Sequence, residues 1–115
     1  KLTCIGYDDF TKAIGKPCVF MENGLYKMNY SYRNNVDYRT DREKGYRIGY
    51  AESRDGISWE RKDEQTGIYL GDSGWDAIMM GYCTVYEFNG KLYMIYNGNG
   101  FGEAGFGYAV RDIVK

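Results

Sequence analysis

The sequence predicts an all-β protein built from antiparallel four-stranded meanders, and three observations support this prediction. The chain of 115 residues contains 13 Tyr, 16 Gly and only 1 Pro, a composition that favours half-buried strands joined by turns. Its apolar residues fall in short runs that are separated by tight turns or by polar loops. The same order of runs and turns occurs twice along the chain, which indicates a structural repeat.

The first half of the chain contains five predicted strands. They cover residues 2–7, 17–22, 25–32, 46–53 and 57–62. Asn23-Gly24 is a two-residue hairpin turn of the type that requires positive φ angles, and Asp55-Gly56 is a second tight turn. The predicted long connections of this half are the polar segments 8–16 and 33–45.

The second half contains three Tyr-rich predicted strands within residues 74–110. Asn89-Gly90 joins the first two strands, and the glycine-rich segment 97–105 joins the last two. The middle strand, residues 92–97, is apolar on both faces, which is typical of a sheet that is covered on both sides. The long segment 63–81 connects the two halves.

The two halves align with each other at four places in the same order. The aligned pairs are residues 18–22 with 83–87, Asn23-Gly24 with Asn89-Gly90, Met28 and Tyr30 with Met94 and Tyr96, and residues 48–51 with 106–109. The repeated unit of about 60 residues has the size of a β-propeller blade. We therefore predict about two blades: an outer strand at 2–7, a blade at 17–62 and an incomplete blade at 82–111. On this alignment Glu22 and Glu87 are equivalent, so we expect a repeated structural role for both.

The last predicted unit lacks a fourth strand, and an unpaired sheet edge is a liability in a folded protein. The chain also begins with Lys1 rather than Met. We therefore expect that the remainder of a longer chain, or a second copy in a homo-oligomer, completes the propeller.

Composition and charge exclude several classes of function for this chain. The formal net charge is −1, so no basic footprint indicates nucleic acid, and no apolar run reaches the roughly 20 residues that cross a membrane. The chain has 0 His, which excludes Ser-His-Asp and Cys-His nucleophiles and His-ligated metals. Cys4, Cys18 and Cys83 lack CxxC spacing, so we expect no metal site, no cofactor and no disulfide framework. Such free cysteines are typical of a reducing compartment, so we expect a cytoplasmic protein.

The long connections are predicted to lie at one end of the meanders, because alternate loops of an antiparallel meander lie on the same side. Segments 8–16, 33–45, 63–81 and 97–105 would then surround the mouth of a propeller, where functional residues concentrate. Carboxylates, amides and aromatic rings around such a mouth suit a polyhydroxylated ligand such as a sugar.

Asp76 is the predicted catalytic carboxylate, because it lies just before an innermost strand and glycoside hydrolysis requires two facing carboxyl groups. Glu103 is the second candidate. The predicted substrate-binding residues carry rings, amides or charges in the long connections: Trp75, Arg33, Asn97, Asn99 and Glu103. The alternative is structural, with Asp76 capping a turn and Glu103 exposed to solvent.

Two sequence stretches resemble the blade motifs of the five-bladed β-propeller glycosidases, which include arabinanases, β-xylosidases, invertases and levansucrases. They are residues 46–59 (YRIGYAESRDGISW) and 90–98 (GKLYMIYNG). The resemblance is to the C-terminal blades of such proteins, and it implies action on carbohydrate with three acidic residues on the first strands of successive blades. This chain has Ile78 where similar proteins often have Glu, and Lys16-Pro17 where Arg-Pro is more usual. A full catalytic set would therefore need further blades.

Two functions remain open at this point. The first is that the chain is part of a glycoside hydrolase-like propeller that acts on a carbohydrate through the polar face at its mouth. The alternative is a non-catalytic propeller fragment that binds a glycan or serves in assembly. Turnover of a glycoside separates the two.

Overall fold

The structure is a computed structural model that describes residues 12–113 of the chain. Within these residues, seven β-strands form two antiparallel sheets. The first sheet contains β1 (Lys12–Glu22), β2 (Leu25–Asn34), β3 (Arg47–Ser53) and β4 (Glu60–Arg61). The second sheet contains β5 (Gly81–Phe88), β6 (Lys91–Asn97) and β7 (Phe106–Asp112). Short 3-10 helices at Arg42–Lys44 and Asp63–Gln65 interrupt two of the connections.

Both sheets are meanders, with the strands side by side in chain order. Their hydrogen-bond registers confirm the repeat, since Tyr30 on β2 pairs with Gly49 and Tyr96 on β6 pairs with Gly107. The first strand of each sheet also contains a β-bulge at the equivalent place. The bulges include Lys16 and Tyr82, which have φ angles of 50° and 54°. A local irregularity that recurs at the same position is a property of the repeat and not an accident of one sheet.

The register corrects one part of the predicted alignment. Glu22 pairs with Leu25 beside the first hairpin turn, and Phe88 pairs with Lys91 beside the second. Glu22 is therefore equivalent to Phe88 and not to Glu87. The identical cysteines and glutamates suggested an alignment that is one residue out, and a shift of one residue moves each side chain to the opposite face of a sheet.

Two predicted strand boundaries are also wrong. β1 begins at Lys12, so part of the predicted connection 8–16 is strand, because Lys12 to Gly15 pair with the extended end of β2. The predicted strand 57–62 shrinks to β4, because the Asp55 carboxylate accepts hydrogen bonds from the backbone N–H groups of Ile57 and Ser58 at 2.8 Å. The predicted strand 2–7 lies outside the described residues.

The core lies between the two sheets, where β5 packs across β1 and β2. Its buried cluster consists of Ile48, Met80, Cys83 and Tyr96. Polar contacts also join the sheets: the backbone N–H of Tyr82 donates to Ser31 Oγ at 2.7 Å, and the backbone N–H of Val85 lies 3.2 Å from Cys18 Sγ. Burial raises the pKa of the Cys83 thiol to about 12, so this cysteine is a neutral packing residue.

A buried carboxylate joins the sheets near their tight-turn end. The Glu22 side chain is fully buried, and its oxygens accept from Arg111 on β7 at 2.6 and 2.7 Å. Lys27 Nζ lies 2.7 Å from the same carboxylate. Two cations therefore compensate the charge of Glu22. The Glu87 side chain, in contrast, is exposed to solvent. Glu22 therefore has the expected structural role, because its ion pair with Arg111 joins the two sheets.

Candidate functional site

Three of the four predicted long connections, 33–45, 63–81 and 97–105, meet at one end of the two sheets. The ring of Phe101, in the 97–105 connection, lies 5.1 Å from the ring of Tyr46, which ends the 33–45 connection. Arg42 donates to the backbone oxygen of Ala77, in the 63–81 connection, at 2.8 Å. The tight turns lie at the other end, where Gly56 packs against the ring of Tyr26. The fold thus separates a loop-rich end from a turn-rich end.

A group of aromatic and arginine side chains occupies the loop-rich end, and we call it the aromatic–arginine cluster. Its members are Arg33, Tyr38, Arg39, Tyr46, Tyr82 and Phe101. The rings of Tyr82 and Phe101 are stacked at 6.0 Å, and Tyr82 is 36% exposed. The bulge on β5 aims Tyr82 toward the loops, because the positive φ angle of this residue turns the chain away from the regular pleat.

Rings and phenolic hydroxyls hold the two guanidinium groups of the cluster. The guanidinium carbon of Arg33 lies 3.8 Å from the centre of the Tyr38 ring, and Arg33 Nε donates to the Tyr46 hydroxyl at 3.1 Å. Arg39 Nε donates to the Tyr38 hydroxyl at 3.2 Å, and this hydrogen bond lowers the pKa of Tyr38. Among the described residues, no carboxylate forms an ion pair with Arg33 or Arg39. The cluster is therefore a positively charged aromatic surface.

Trp75 and Asp76 form a second group beside the cluster. The Trp75 indole stacks on the Tyr96 ring at 5.2 Å and lies against Gly107, where a Cβ atom would approach its ring to 2.5 Å. Tyr96 donates its hydroxyl hydrogen to Asp76 Oδ2 at 2.9 Å. Burial, reinforced by Asp76, raises the pKa of Tyr96 to about 12. At neutral pH the Tyr96 hydroxyl is thus a permanent donor that orients the Asp76 carboxylate.

Asn99 ties this second group to the last connection. Its side-chain oxygen accepts from the backbone N–H groups of Ile78 and Met79 at 2.8 and 3.1 Å, and its side-chain nitrogen donates to the Gly74 oxygen at 2.9 Å. Its own backbone N–H donates to the Trp75 oxygen at 2.6 Å. The amide of Asn99 thus positions the chain on both sides of Asp76.

The remaining predicted residues lie on the third long connection. Asn97 is half-buried at the end of β6, with its side chain beside Gly102. Glu103 is exposed, and its side chain lies over Gly100 of the same loop. The structure thus brings Trp75, Asp76 and Asn99 together, places Arg33 in the neighbouring cluster, and leaves Glu103 on the loop surface.

The sequence prediction did not assign Tyr38, Arg39, Tyr46 or Phe101 as ligand-binding residues. Tyr38 and Phe101 stand in long polar or glycine-rich connections, and neither belongs to a predicted strand. An aromatic residue in such a connection has no core face to occupy, and this signal could have identified both.

A cavity of about 380 Å³ lies between the sheets, away from the cluster. Its polar lining includes Lys27 and Glu52, which are already paired with Glu22 and Lys62 at 2.7 and 2.8 Å. The charges of this cavity are therefore satisfied within the protein, and the loop-rich end is the better candidate for a site.

Comparison with known proteins supports the fold and leaves the function open. No protein-family profile matches the chain. Two Mycobacterium tuberculosis proteins, uncharacterised protein MT1551 and uncharacterised protein Rv1502, are 35% and 34% identical to it over 97 residues. This stretch is 84% of the chain, and the chain spans only 29% of the length of each relative.

Solved structures of glycoside hydrolases share the fold. Zg3597, a family 117 glycoside hydrolase of the marine bacterium Zobellia galactanivorans, matches 96% of this chain with 37% of its own, at a TM-score of 0.67 and 18% identity. Another glycoside hydrolase matches 89% of this chain with 33% of its own, at a TM-score of 0.64 and 22% identity. A thermostable family-43 glycoside hydrolase matches 88% of this chain at a TM-score of 0.52 and 20% identity. The prediction of an all-β partial propeller is confirmed.

Proposed function

We propose that this chain, which has the fold of part of a glycoside hydrolase propeller, belongs to a propeller that acts on a carbohydrate at its loop-rich end. The observation that carries this proposal is the aromatic–arginine cluster. Four rings and two guanidinium groups converge there on the surface that the long connections surround. Aromatic faces stack on sugar rings, and guanidinium N–H groups donate to sugar oxygens.

Asp76 is the proposed acidic residue of the reaction. Its carboxylate has a single described donor, Tyr96, which fixes its orientation from one side. Asn99 holds the chain on which Asp76 lies. A carboxylate held in this way is suited to accept a proton or to stabilise positive charge on a sugar ring.

Glycosidases need a second carboxyl group at a separation of about 5 to 9.5 Å from the first. Glu103 lies over Gly100 on its own loop, and Ile78 stands where similar proteins carry Glu. We therefore propose that the other acidic residues come from further blades of a longer protein.

The outer face of the second sheet supports the proposal of further blades. It carries Tyr86, Tyr108 and Val110, which are 43%, 65% and 48% exposed. By the register, the equivalent face of the first sheet is the one that the second sheet covers. We propose that another sheet of the same repeat, supplied by the longer protein, covers this aromatic face in the same way.

A change on this face tests that part of the proposal. Tyr108→Lys should lower the free energy of unfolding of the longer protein by about 2 kcal/mol or more, and it should leave the stability of this chain alone nearly unchanged. An equal loss of unfolding free energy in the longer protein and in this chain alone would contradict the proposal that another sheet covers Tyr108. Sedimentation that shows a concentration-dependent dimer, broken by Tyr108→Lys, would instead identify a second copy as the partner.

Substitution in the cluster tests the function itself. Phe101→Ala should weaken binding in a panel of oligosaccharides, because it removes a ring from the surface. Tyr69→Ala is the matched control, since Tyr69 is exposed outside the cluster. Equal effects of the two substitutions, or no binding by the unaltered protein, would contradict the proposal. Binding without turnover by the longer protein would favour the non-catalytic alternative.

A further inference from the structure

The two arginines of the aromatic–arginine cluster differ from Arg61 and Arg111, which form ion pairs within the fold. Arg61 pairs with Asp63 at 2.8 Å, and Arg111 forms two hydrogen bonds to Glu22. Arg33 and Arg39 pair with no carboxylate in the described part of the chain, and their Nε atoms donate to neutral phenolic hydroxyls. Among residues 12–113, no carboxylate is therefore paired with the positive charge of the cluster.

The guanidinium groups are also preorganised. Arg33 is stacked on the Tyr38 ring at 3.8 Å and tied to Tyr46 and to the Asn34 oxygen. Arg39 lies 5.3 Å from the Tyr38 ring and 5.2 Å from the Phe101 ring. Side chains that are already held by rings lose little conformational entropy when a ligand binds. Such a site can use the positive charge of its guanidinium groups to recognise a negatively charged group of a ligand.

We propose that the aromatic–arginine cluster binds a sugar that carries an anionic group, namely a carboxylate, sulfate or phosphate. This inference rests on the proposed carbohydrate function and deepens it. The rings of Tyr82 and Phe101 supply the stacking surface, and Arg39 supplies free N–H groups at its edge. A planar guanidinium group forms two parallel hydrogen bonds with such anions, which neutral sugars do not offer.

The surroundings favour a small anion over a polyanion. Asp37, Asp41 and Glu43 lie in the connection that carries Arg39, and the formal net charge of the whole chain is −1. A nucleic-acid strand would meet these carboxylates along its backbone, since such strands bind to extended basic surfaces. The pKa of Tyr38, lowered by its hydrogen bond from Arg39, is consistent with a local positive potential.

Matched oligosaccharides test the proposal in titration calorimetry with the intact chain. The probes are oligomers of galacturonic acid, the same oligomers as methyl esters, sulfated galactose oligomers and neutral galactose oligomers. An anionic probe should bind about tenfold or more tightly than its neutral counterpart, and its affinity should fall with added salt. The preferred anionic probe tells a carboxylate from a sulfate.

Variants locate the effect on the cluster. Arg39→Ala should remove the preference for the anionic probe, and Arg33→Lys should reduce it, because lysine keeps the charge and loses the planar fork. Arg54→Ala is the control, since Arg54 is exposed at the turn-rich end. Thermal unfolding of each variant separates loss of binding from loss of folding.

Three outcomes would overturn the inference. Equal binding of every anionic probe and its neutral counterpart would reject the anionic sugar and leave the proposed carbohydrate function standing. Failure of every sugar to bind would reject both the anionic sugar and the proposed carbohydrate function. Tighter binding of a single-stranded oligonucleotide than of any sugar would assign the cluster to nucleic acid instead.

Discussion

The two sheets contain equivalent tyrosines that meet different aspartates. Tyr30 in the first sheet donates to Asp63, and Tyr96 in the second sheet donates to Asp76. Asp63 also accepts from Arg61 at 2.8 Å and from the backbone N–H of Tyr50 at 3.1 Å. Asp76 pairs with no cation among the described residues. One aspartate is thus paired with a cation inside the fold, and the other accepts its one described side-chain hydrogen bond from Tyr96.

This difference shows how a repeat separates structure from chemistry. Both tyrosines sit opposite a glycine, and in the first sheet Tyr30 itself fills the space over Gly49. In the second sheet Trp75 fills the space over Gly107 and brings Asp76 with it from the long connection. The same strand position therefore contacts a carboxylate that is paired with Arg61 in the first sheet, and a carboxylate that has no cationic partner among the described residues in the second.

The largest expected effect separates the two aspartates by activity. If Asp76 has the proposed catalytic role, Asp76→Asn should lower glycoside turnover by the longer protein by roughly a hundredfold to ten-thousandfold, because it removes the ionisable group of the carboxyl. Asp63→Asn should lower the melting temperature and leave turnover unchanged, since Asp63 is committed to Arg61 and Tyr50. Steady-state rates and thermal scans of both variants measure this. Unchanged turnover in Asp76→Asn would remove Asp76 from the proposed mechanism.

The next largest effect tests the corrected register. Glu22→Ala should reduce the free energy of unfolding by about 3 kcal/mol, because it leaves Lys27 and Arg111 without their shared buried anion. Glu87→Ala, on an exposed residue, should change it by less than about 0.5 kcal/mol. Urea denaturation of the two variants gives both values. Similar losses of unfolding free energy in the two variants would support the equivalence of Glu22 and Glu87 that the sequence alignment suggested.

The two glycines provide a test of packing. Gly107→Ala would push a Cβ atom to 2.5 Å from the Trp75 ring, and Gly49→Ala would bring one to 2.7 Å from the Asp63 carboxylate. We expect each to cost about 1 to 3 kcal/mol of stability. Only Gly107→Ala should also weaken oligosaccharide binding, since it displaces the segment that carries Asp76. Binding that is equally affected by both would show that general destabilisation is the cause.

Much of the fold could be predicted because its signals are local. Asn-Gly turns, alternating aromatic residues and a repeated order of runs define strands before any contact is known. The alignment of Glu22 with Glu87 failed because main-chain pairing, and not residue identity, sets the register. The strand 57–62 was overestimated because the Asp55 side chain competes with the strand for backbone N–H groups.

The site was predictable in part, for physical reasons. Loop placement follows from meander topology, so Arg33, Asp76 and Asn99 could be placed at one end from the sequence. The pairing of each side chain is a long-range property, so the sequence could not show that Asn99 holds Gly74 and Ile78. Nor could it show that Arg39 reaches the ring of Phe101.

The smallest expected effect concerns the tyrosine hydroxyls and their response to pH. Burial and Asp76 raise the pKa of Tyr96 from 10.0 to about 12, so the folded state binds this proton more tightly than the unfolded state. The resulting stability is fully present below pH 10 and is lost as pH rises toward about 12. Burial raises the pKa of Tyr30 still further, so the loss of its contribution also begins near pH 10, where the unfolded tyrosine ionises, and continues to higher pH.

Phenylalanine variants isolate each hydroxyl. Tyr96→Phe should cost about 1 kcal/mol at neutral pH and should flatten the fall of stability between pH 10 and pH 12. Tyr30→Phe should flatten the same window as well, because the unfolded Tyr30 ionises near pH 10 while the folded hydroxyl stays protonated, and its effect should extend to higher pH. Denaturant unfolding at a series of pH values measures both. If Tyr96→Phe kept the full alkaline dependence, the Tyr96–Asp76 hydrogen bond would not control the ionisation of Tyr96, and the proposed orientation of Asp76 would lose its support.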